Sequence, residues 1–90
     1  MTEIVKRASA GTMESSDVYV EIEPAETDLT VELQSVVQAQ FGSAIEAAVR
    51  EVLQENGVTC ANVKVMDRGA LECVIRARME TAILRGKGDA

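Results

Sequence analysis

The hydrophobic pattern of this chain changes period partway along, and that change limits the folds open to it. In DVYVEIE, Asp17 to Glu23, the residues Val18, Val20 and Ile22 fall on one side and Tyr19, Glu21 and Glu23 on the other, the period-two signature of a half-buried strand. Pro24 stops the run. Leu29, Val31 and Leu33 repeat it with Thr30 and Glu32 outside, and the intervening PAETD is turn-like, so residues 17 to 34 read as a β-hairpin. Upstream, IVKRASA offers an extra N-terminal strand. From Ser35 onward the spacing becomes helical: Val37, Phe41, Ala44, Ile45, Ala48, Val49 and Val52 share one face of a helix. Ser35 with Gln38 fits a capping box at its start, and Asn56-Gly57 supplies a residue able to turn left-handed after its last carbonyls. Glu46 and Arg50, four apart, are expected to pair on the solvent face.

After the helix, ANVKVM sets Val63 and Val65 to one side, Asp67-Arg68-Gly69 suggests a tight turn, and Leu71, Cys73, Ile75, Ala77 and Met79 alternate against Arg76 and Arg78. The expectation is therefore an α+β fold in two layers, with one long amphipathic helix packed on a mainly antiparallel sheet. The order is β-hairpin, helix, β-hairpin, plus the extra N-terminal strand. Phe41, Val49 and Ile75 are expected near the core centre, where truncating the single Phe would cost ~3–5 kcal/mol.

Size and charge narrow the function. Ninety residues predict one domain, 1–90, with a frayed tail over 86–90, and a chain this short buries only about 60–65% of its extended surface, which leaves little room for a catalytic cavity. A stand-alone enzyme is disfavoured. With 15 acidic against 9 basic residues and a net charge of −6, the chain repels nucleic acid and anionic membrane and favours basic partner surfaces. No stretch is apolar enough to span a bilayer and MTEIVKRASAG lacks the apolar block of a signal peptide, so a cytoplasmic location is expected. The absence of histidine removes Ser-His and Cys-His catalysis and the usual nitrogen ligand for zinc. Cys60 and Cys73 read as free thiols, and Glu21, Glu23 and Glu26 as a solvated strand face and not a metal site. Two short patterns, KRAS at Lys6 to Ser9 and ESSDVYVE, have the form of kinase sites but recur by chance.

One polar segment remains, GTMESSDVYV at residues 11 to 20. Glu14-Ser15-Ser16-Asp17 can be read as a bend whose side chains bond nearby backbone N–H groups, ending one strand and starting another. It can equally be read as an exposed, anchored pair of hydroxyls that a partner enzyme could modify. Pattern alone leaves both readings standing.

AGTMESSD at residues 10 to 17, PAE at 24 to 26, QFG at 40 to 42, DRGALEC at 67 to 73 and IRAR at 75 to 78 together resemble the acyl carrier proteins of citrate lyase, its gamma subunits. The similarity runs in order along nearly the whole chain and extends to length and acidity. Met13 stands where leucine is expected, a volume-conserving swap. The resemblance implies that the first serine of ESSD, Ser15, carries phosphoribosyl-dephospho-coenzyme A through a phosphodiester, with Ser16 a neighbour only. It implies a non-catalytic carrier that presents acetyl and citryl thioesters to an alpha subunit, the acyl transferase, and a beta subunit, the citryl lyase. A separate transferase would attach the prosthetic group. Glu14 and Asp17 would then repel the arm's own phosphates and keep it extended. The weighed alternatives are an acidic structural or regulatory subunit with no prosthetic group, and the carrier of malonate decarboxylase.

Overall fold

The computed structural model describes residues 3–36 and 38–88. Its elements are β1 (Ala8–Gly11), β2 (Val18–Pro24), β3 (Leu29–Ser35), α1 (Gln38–Glu55), β4 (Ala61–Asp67) and α2 (Glu72–Gly86). The strands form one sheet in the order β1-β2-β4-β3, with β1–β2 and β2–β4 antiparallel and β3–β4 parallel. The α+β class holds, the sheet is mainly antiparallel, and the extra N-terminal strand exists as β1.

Two expectations about connectivity are corrected. The strands of the expected first hairpin, β2 and β3, are not neighbours, because β4 lies between them. Ala61, Val63 and Val65 are at most 1% exposed, so β4 is the strand that gains most from a central position, whereas β3 alternates between half-buried and exposed residues and suits an edge. The β3–α1–β4 succession is a strand–helix–strand unit, and its 18-residue helix supplies the long crossover that parallel pairing requires.

The second expected hairpin does not exist either, since residues 72–86 are helical and the fold has two helices instead of one. Apolar alternation up to Met79 mimicked a strand. The buried set is Ile75, Met79, Ala82, Ile83 and Gly86, which is helical spacing and becomes visible only when the window reaches past Met79. Leu71 and Cys73, counted as facing inward, are exposed. Arg76 instead pairs one turn back with Glu72 at 3.1 Å and across to Glu51 of α1 at 3.1 Å.

Both helices contribute to a single core in which Val18, Val20 and Ile22 of β2 meet Val49, Val52 and Leu53 of α1 and Ile75, Met79 and Ile83 of α2. The end of α1 follows the expected chemistry. Gly57 has φ +71, its N–H donates to the Gln54 carbonyl at 3.0 Å, and the Val58 N–H donates to the Leu53 carbonyl at 3.0 Å, the paired bonds of a Schellman ending. The Glu46–Arg50 pair forms at 2.9 Å. Before the helix start, Ser35 is the last residue of β3 and its hydroxyl donates to Asp67 Oδ2 at 2.8 Å. Val37, counted on the inner helical face, lies outside the described residues. Gly86 closes α2 against Ile4 and Ile22, and its carbonyl accepts from the Val5 and Lys6 N–H groups at 2.9 and 3.1 Å. Residues 89–90 lie outside the described residues.

Val49 and Ile75 are buried as expected, but Phe41 is 54% exposed. It sits in the first turn of α1, ahead of Ile45, the first buried residue of that helix among those described. The stability ranking therefore inverts. Leu53→Ala, at a fully buried site, is expected to cost about 2–5 kcal/mol, and Phe41→Ala less than about 1 kcal/mol. Urea unfolding midpoints of the two variants check this, and equal losses would place Phe41 back in the core.

Candidate functional site

β1 and β2 form an antiparallel hairpin that begins its turn at Gly11, paired with Tyr19. The Thr12 N–H donates to the Val18 carbonyl at 3.2 Å and carries the ladder one step further. Gly11 has φ +91, and a Cβ there would lie 1.8 Å from the Val18 carbonyl oxygen, so only glycine lets the two strands approach as the chain enters the turn. At the tip, the Asp17 N–H donates to the Glu14 carbonyl at 3.1 Å, closing a four-residue turn with Ser15 and Ser16 at its central positions. Ser16 is the sole non-glycine residue with positive φ, +66, among the described residues. Positive φ at the second central position is the type II arrangement, which normally takes glycine or asparagine. Holding a serine there costs roughly 1–2 kcal/mol.

What offsets that cost is a set of bonds around the turn. The Ser16 N–H donates to the Arg68 carbonyl at 2.8 Å and the Arg68 N–H donates to the Asp17 carbonyl at 2.9 Å, tying the tip to the β4–α2 loop. The Asp17 carboxylate accepts from the Thr12 hydroxyl at 2.7 Å, the Val18 N–H at 2.7 Å, and the Arg78 Nε and a terminal guanidinium nitrogen at 3.2 and 3.0 Å. The Thr12 hydroxyl oxygen in turn accepts from the Glu14 N–H at 3.2 Å. On the far side, the loop is braced by Asp67, buried at 1% exposure, whose Oδ1 accepts from the Ala70 N–H at 2.9 Å.

Asp17 is therefore the keystone of the turn and not a free charge beside it. This corrects the expectation that Asp17 and Glu14 together fence off an anionic group, because the charge of Asp17 is committed to Arg78. The Thr12 hydroxyl above all, then the Val18 N–H and the Arg78 guanidinium, hold its carboxyl down at about 2. A carboxyl depressed in the folded state binds its proton more weakly there than in the unfolded chain. Its stabilisation is complete above the ordinary carboxylate value near 4 and is lost as pH falls toward 2. Amide exchange at Thr12 and Val18 is expected to accelerate over that interval, with the Leu53 amide following only on global unfolding. Thr12→Val and Arg78→Gln are each expected to raise the Asp17 titration midpoint, as carboxyl NMR would show.

Ser15 and Ser16 are both exposed, and among the described residues neither hydroxyl makes a hydrogen bond. The turn thus presents two oxygen nucleophiles on a fixed stem, with no partner to lose on modification. Ser16 has its N–H and left-handed backbone committed to the Arg68 contact, while Ser15 leads the turn. Cys60 and Cys73 are free and lie apart from it in sequence and element. An apolar groove of about 240 Å³ runs between the starts of the two helices, lined by Phe41, Ile45, Leu71 and Ile75 with Glu72 as its one charged residue among those described. The sequence places the serines on a polar bend between Gly11-Thr12 and the strand at Asp17, but does not reveal Arg68 and Arg78 as supports of that bend. Thr12 and Asp17 flanking the turn were the available local signal, whereas Arg78 is 61 residues from Asp17 and could not be paired with it without the fold. No helix among the described residues is long and apolar enough to cross a membrane.

Comparison with known proteins adds family to this geometry. The family model described as malonate decarboxylase delta subunit, an acyl carrier family, matches residues 5–86. The chain is 54% identical over 84 residues to the citrate lyase acyl carrier protein of Escherichia fergusonii, covering 92% of this chain and 87% of that one. It is 57% identical over 79 residues to the citrate lyase acyl carrier protein of Klebsiella pneumoniae, covering 87% and 81%. Among solved structures, a chain in a Pseudomonas malonate decarboxylase hetero-tetramer in complex with malonate superposes with a TM-score of 0.78 at 23% identity, covering 89% of this chain and 82% of that one, a likeness of fold. With identity above one half along most of both sequences, the chain belongs to the citrate lyase acyl carrier protein family.

Proposed function

We propose that this chain is the acyl carrier subunit of a citrate lyase and that Ser15 is the residue to which its covalent arm, phosphoribosyl-dephospho-coenzyme A, is attached. The observation that carries the reading is the position of Ser15: an exposed hydroxyl without a hydrogen bond, leading a turn whose backbone is fastened to two other parts of the fold. A tether needs such a rigid root, because every degree of freedom in the stem widens the volume the arm must search. The residues fit the group. Esterifying Ser15 breaks no contact and buries no charge, and Asp17, already paired with Arg78, adds little repulsion toward a phosphodiester.

When bound, the arm supplies a terminal thiol that holds an acyl group as a thioester, in which a carbanion next to the carbonyl is stabilised better than in a free carboxylate. The chain's own residues do no bond-making. Gly11, Thr12, Asp17 and Arg78 hold the turn, and Ser15 provides the oxygen. Delivery between the alpha (acyl transferase) and beta (citryl lyase) subunits becomes intramolecular, with an effective concentration on the order of mM for a short flexible link. The whole of 1–90 acts as one carrier domain in this reading, working in the cytoplasm alongside a transferase that installs the arm.

A second reading, the carrier of a malonate decarboxylase, draws on the family model and the shared fold. The citrate lyase reading is preferred because identity to the citrate lyase carriers is 54–57% against 23% to the malonate decarboxylase chain. Intact mass of the chain isolated with its native partners tests the proposal. A shift equal to phosphoribosyl-dephospho-coenzyme A is expected, and acetyl is expected on the thiol. An unmodified chain in an active complex would instead indicate a purely structural subunit.

A further inference from the structure

Building on the attachment at Ser15, we propose that Arg68 is the cation that pairs with the phosphate esterified to that serine. Among the described residues, Arg7, Arg50, Arg76 and Arg78 each form an ion pair and Arg85 donates to the Ser9 carbonyl, whereas Arg68 has neither kind of partner. In a chain of net charge −6, an exposed arginine left without a carboxylate calls for an explanation. Its place supplies one. The Arg68 backbone is bonded to the serine turn twice, through its carbonyl to the Ser16 N–H at 2.8 Å and through its N–H to the Asp17 carbonyl at 2.9 Å. The loop beneath it is fixed by the bond from the Ala70 N–H to buried Asp67 at 2.9 Å.

The root of the Arg68 side chain is thereby held one backbone hydrogen bond from the residue after Ser15. The guanidinium is always charged and its fork matches two phosphate oxygens at once. The other nearby cation, Arg78, already donates through two nitrogens to Asp17. Glu14, the exposed acid next to Ser15, forms no ion pair with Arg68 among the described residues, so the guanidinium is left to the incoming anion. The division of labour follows: Arg78 shapes the turn through Asp17, and Arg68 holds the group that the turn displays. A phosphate pinned at its root aims the arm away from the carrier surface while the bonds beyond it stay free to swing.

The test uses the full chain with phosphoserine installed at position 15, a phosphate monoester whose second ionisation near pH 6 can be followed by phosphorus NMR. A guanidinium at contact distance in a solvated setting lowers that midpoint by roughly half a unit, about threefold in proton affinity. Arg68→Gln is expected to abolish that lowering and Arg68→Lys to retain part of it. Arg50→Gln, on the far helix, is expected to leave the midpoint unchanged. If Arg68→Gln titrates like the parent, or Arg50→Gln shifts the midpoint as much, the pairing is overturned. This readout does not depend on what the native modification is, so it fails separately from the arm itself, which intact mass decides. In the holo chain, the Arg68 Nε–H resonance is expected to move relative to Ser15→Ala, and an unmoved resonance would contradict the contact.

Discussion

Gly11→Ala is expected to destabilise the chain by about 3 kcal/mol or more and to displace the serine turn even in molecules that remain folded. Two effects add. A left-handed backbone at a residue with a Cβ costs roughly 1–2 kcal/mol, and Gly11 sits at φ +91. The new Cβ would also lie 1.8 Å from the Val18 carbonyl oxygen and 3.0 Å from the Val18 carbonyl carbon. The obstacle is backbone, so no rotamer change relieves it, and the bond from the Thr12 N–H to that same oxygen must break as the strands separate. Gly69→Ala is the matched control: its φ is +96 but nothing lies within 4 Å of the added carbon, so it carries the strain alone, about 1–2 kcal/mol. Urea midpoints for the pair measure the difference. Equal losses would mean that the β1–β2 approach is looser than 1.8 Å implies.

Ser15→Ala should have the opposite profile, an intact fold with no carrier activity. The side chain is exposed and without a hydrogen bond, so stability is expected to stay within about 0.5 kcal/mol of the parent. Losing the attachment oxygen removes the tether, and with it an advantage of about 10²-fold to 10⁴-fold from intramolecular delivery, so citrate cleavage by the reconstituted complex should drop at least a hundredfold. Ser16→Ala is expected to keep both arm and activity. Reversal of the two variants would move the attachment to Ser16, and activity in the double variant would end the carrier mechanism altogether.

How much of this was legible in the sequence depended on the range of the interaction involved. The alternation in Val18–Val20–Ile22 and the helical stripe from Ile45 to Val52 come from burial against a neighbouring layer and leave a local pattern, so β2, β3 and most of α1 could be read directly. The Asn56-Gly57 ending was legible for the same reason, since all its bonds fall within a few residues. Strand order was not, because a short PAETD connection fits both a hairpin and a jump across an inserted strand, and only the burial of β4 decides between them. Helix α2 was misread because a window ending at Met79 cannot separate period two from period 3.6, and Ala82 with Ile83 resolve it. At the site, ESSD marked the serines, but the forces that hold them arrive from Arg68 and Arg78, which no local pattern links to residue 17.

Peptide mapping of the carrier from its working complex reaches the central claim most directly, since it reads which oxygen bears the arm. Fragmentation spectra of the segment containing Thr12 to Asp17 are predicted to place the whole added mass of phosphoribosyl-dephospho-coenzyme A on Ser15, with Ser16 bare. An unmodified Ser15 in a complex that still cleaves citrate, or the arm found on another residue, would contradict the account.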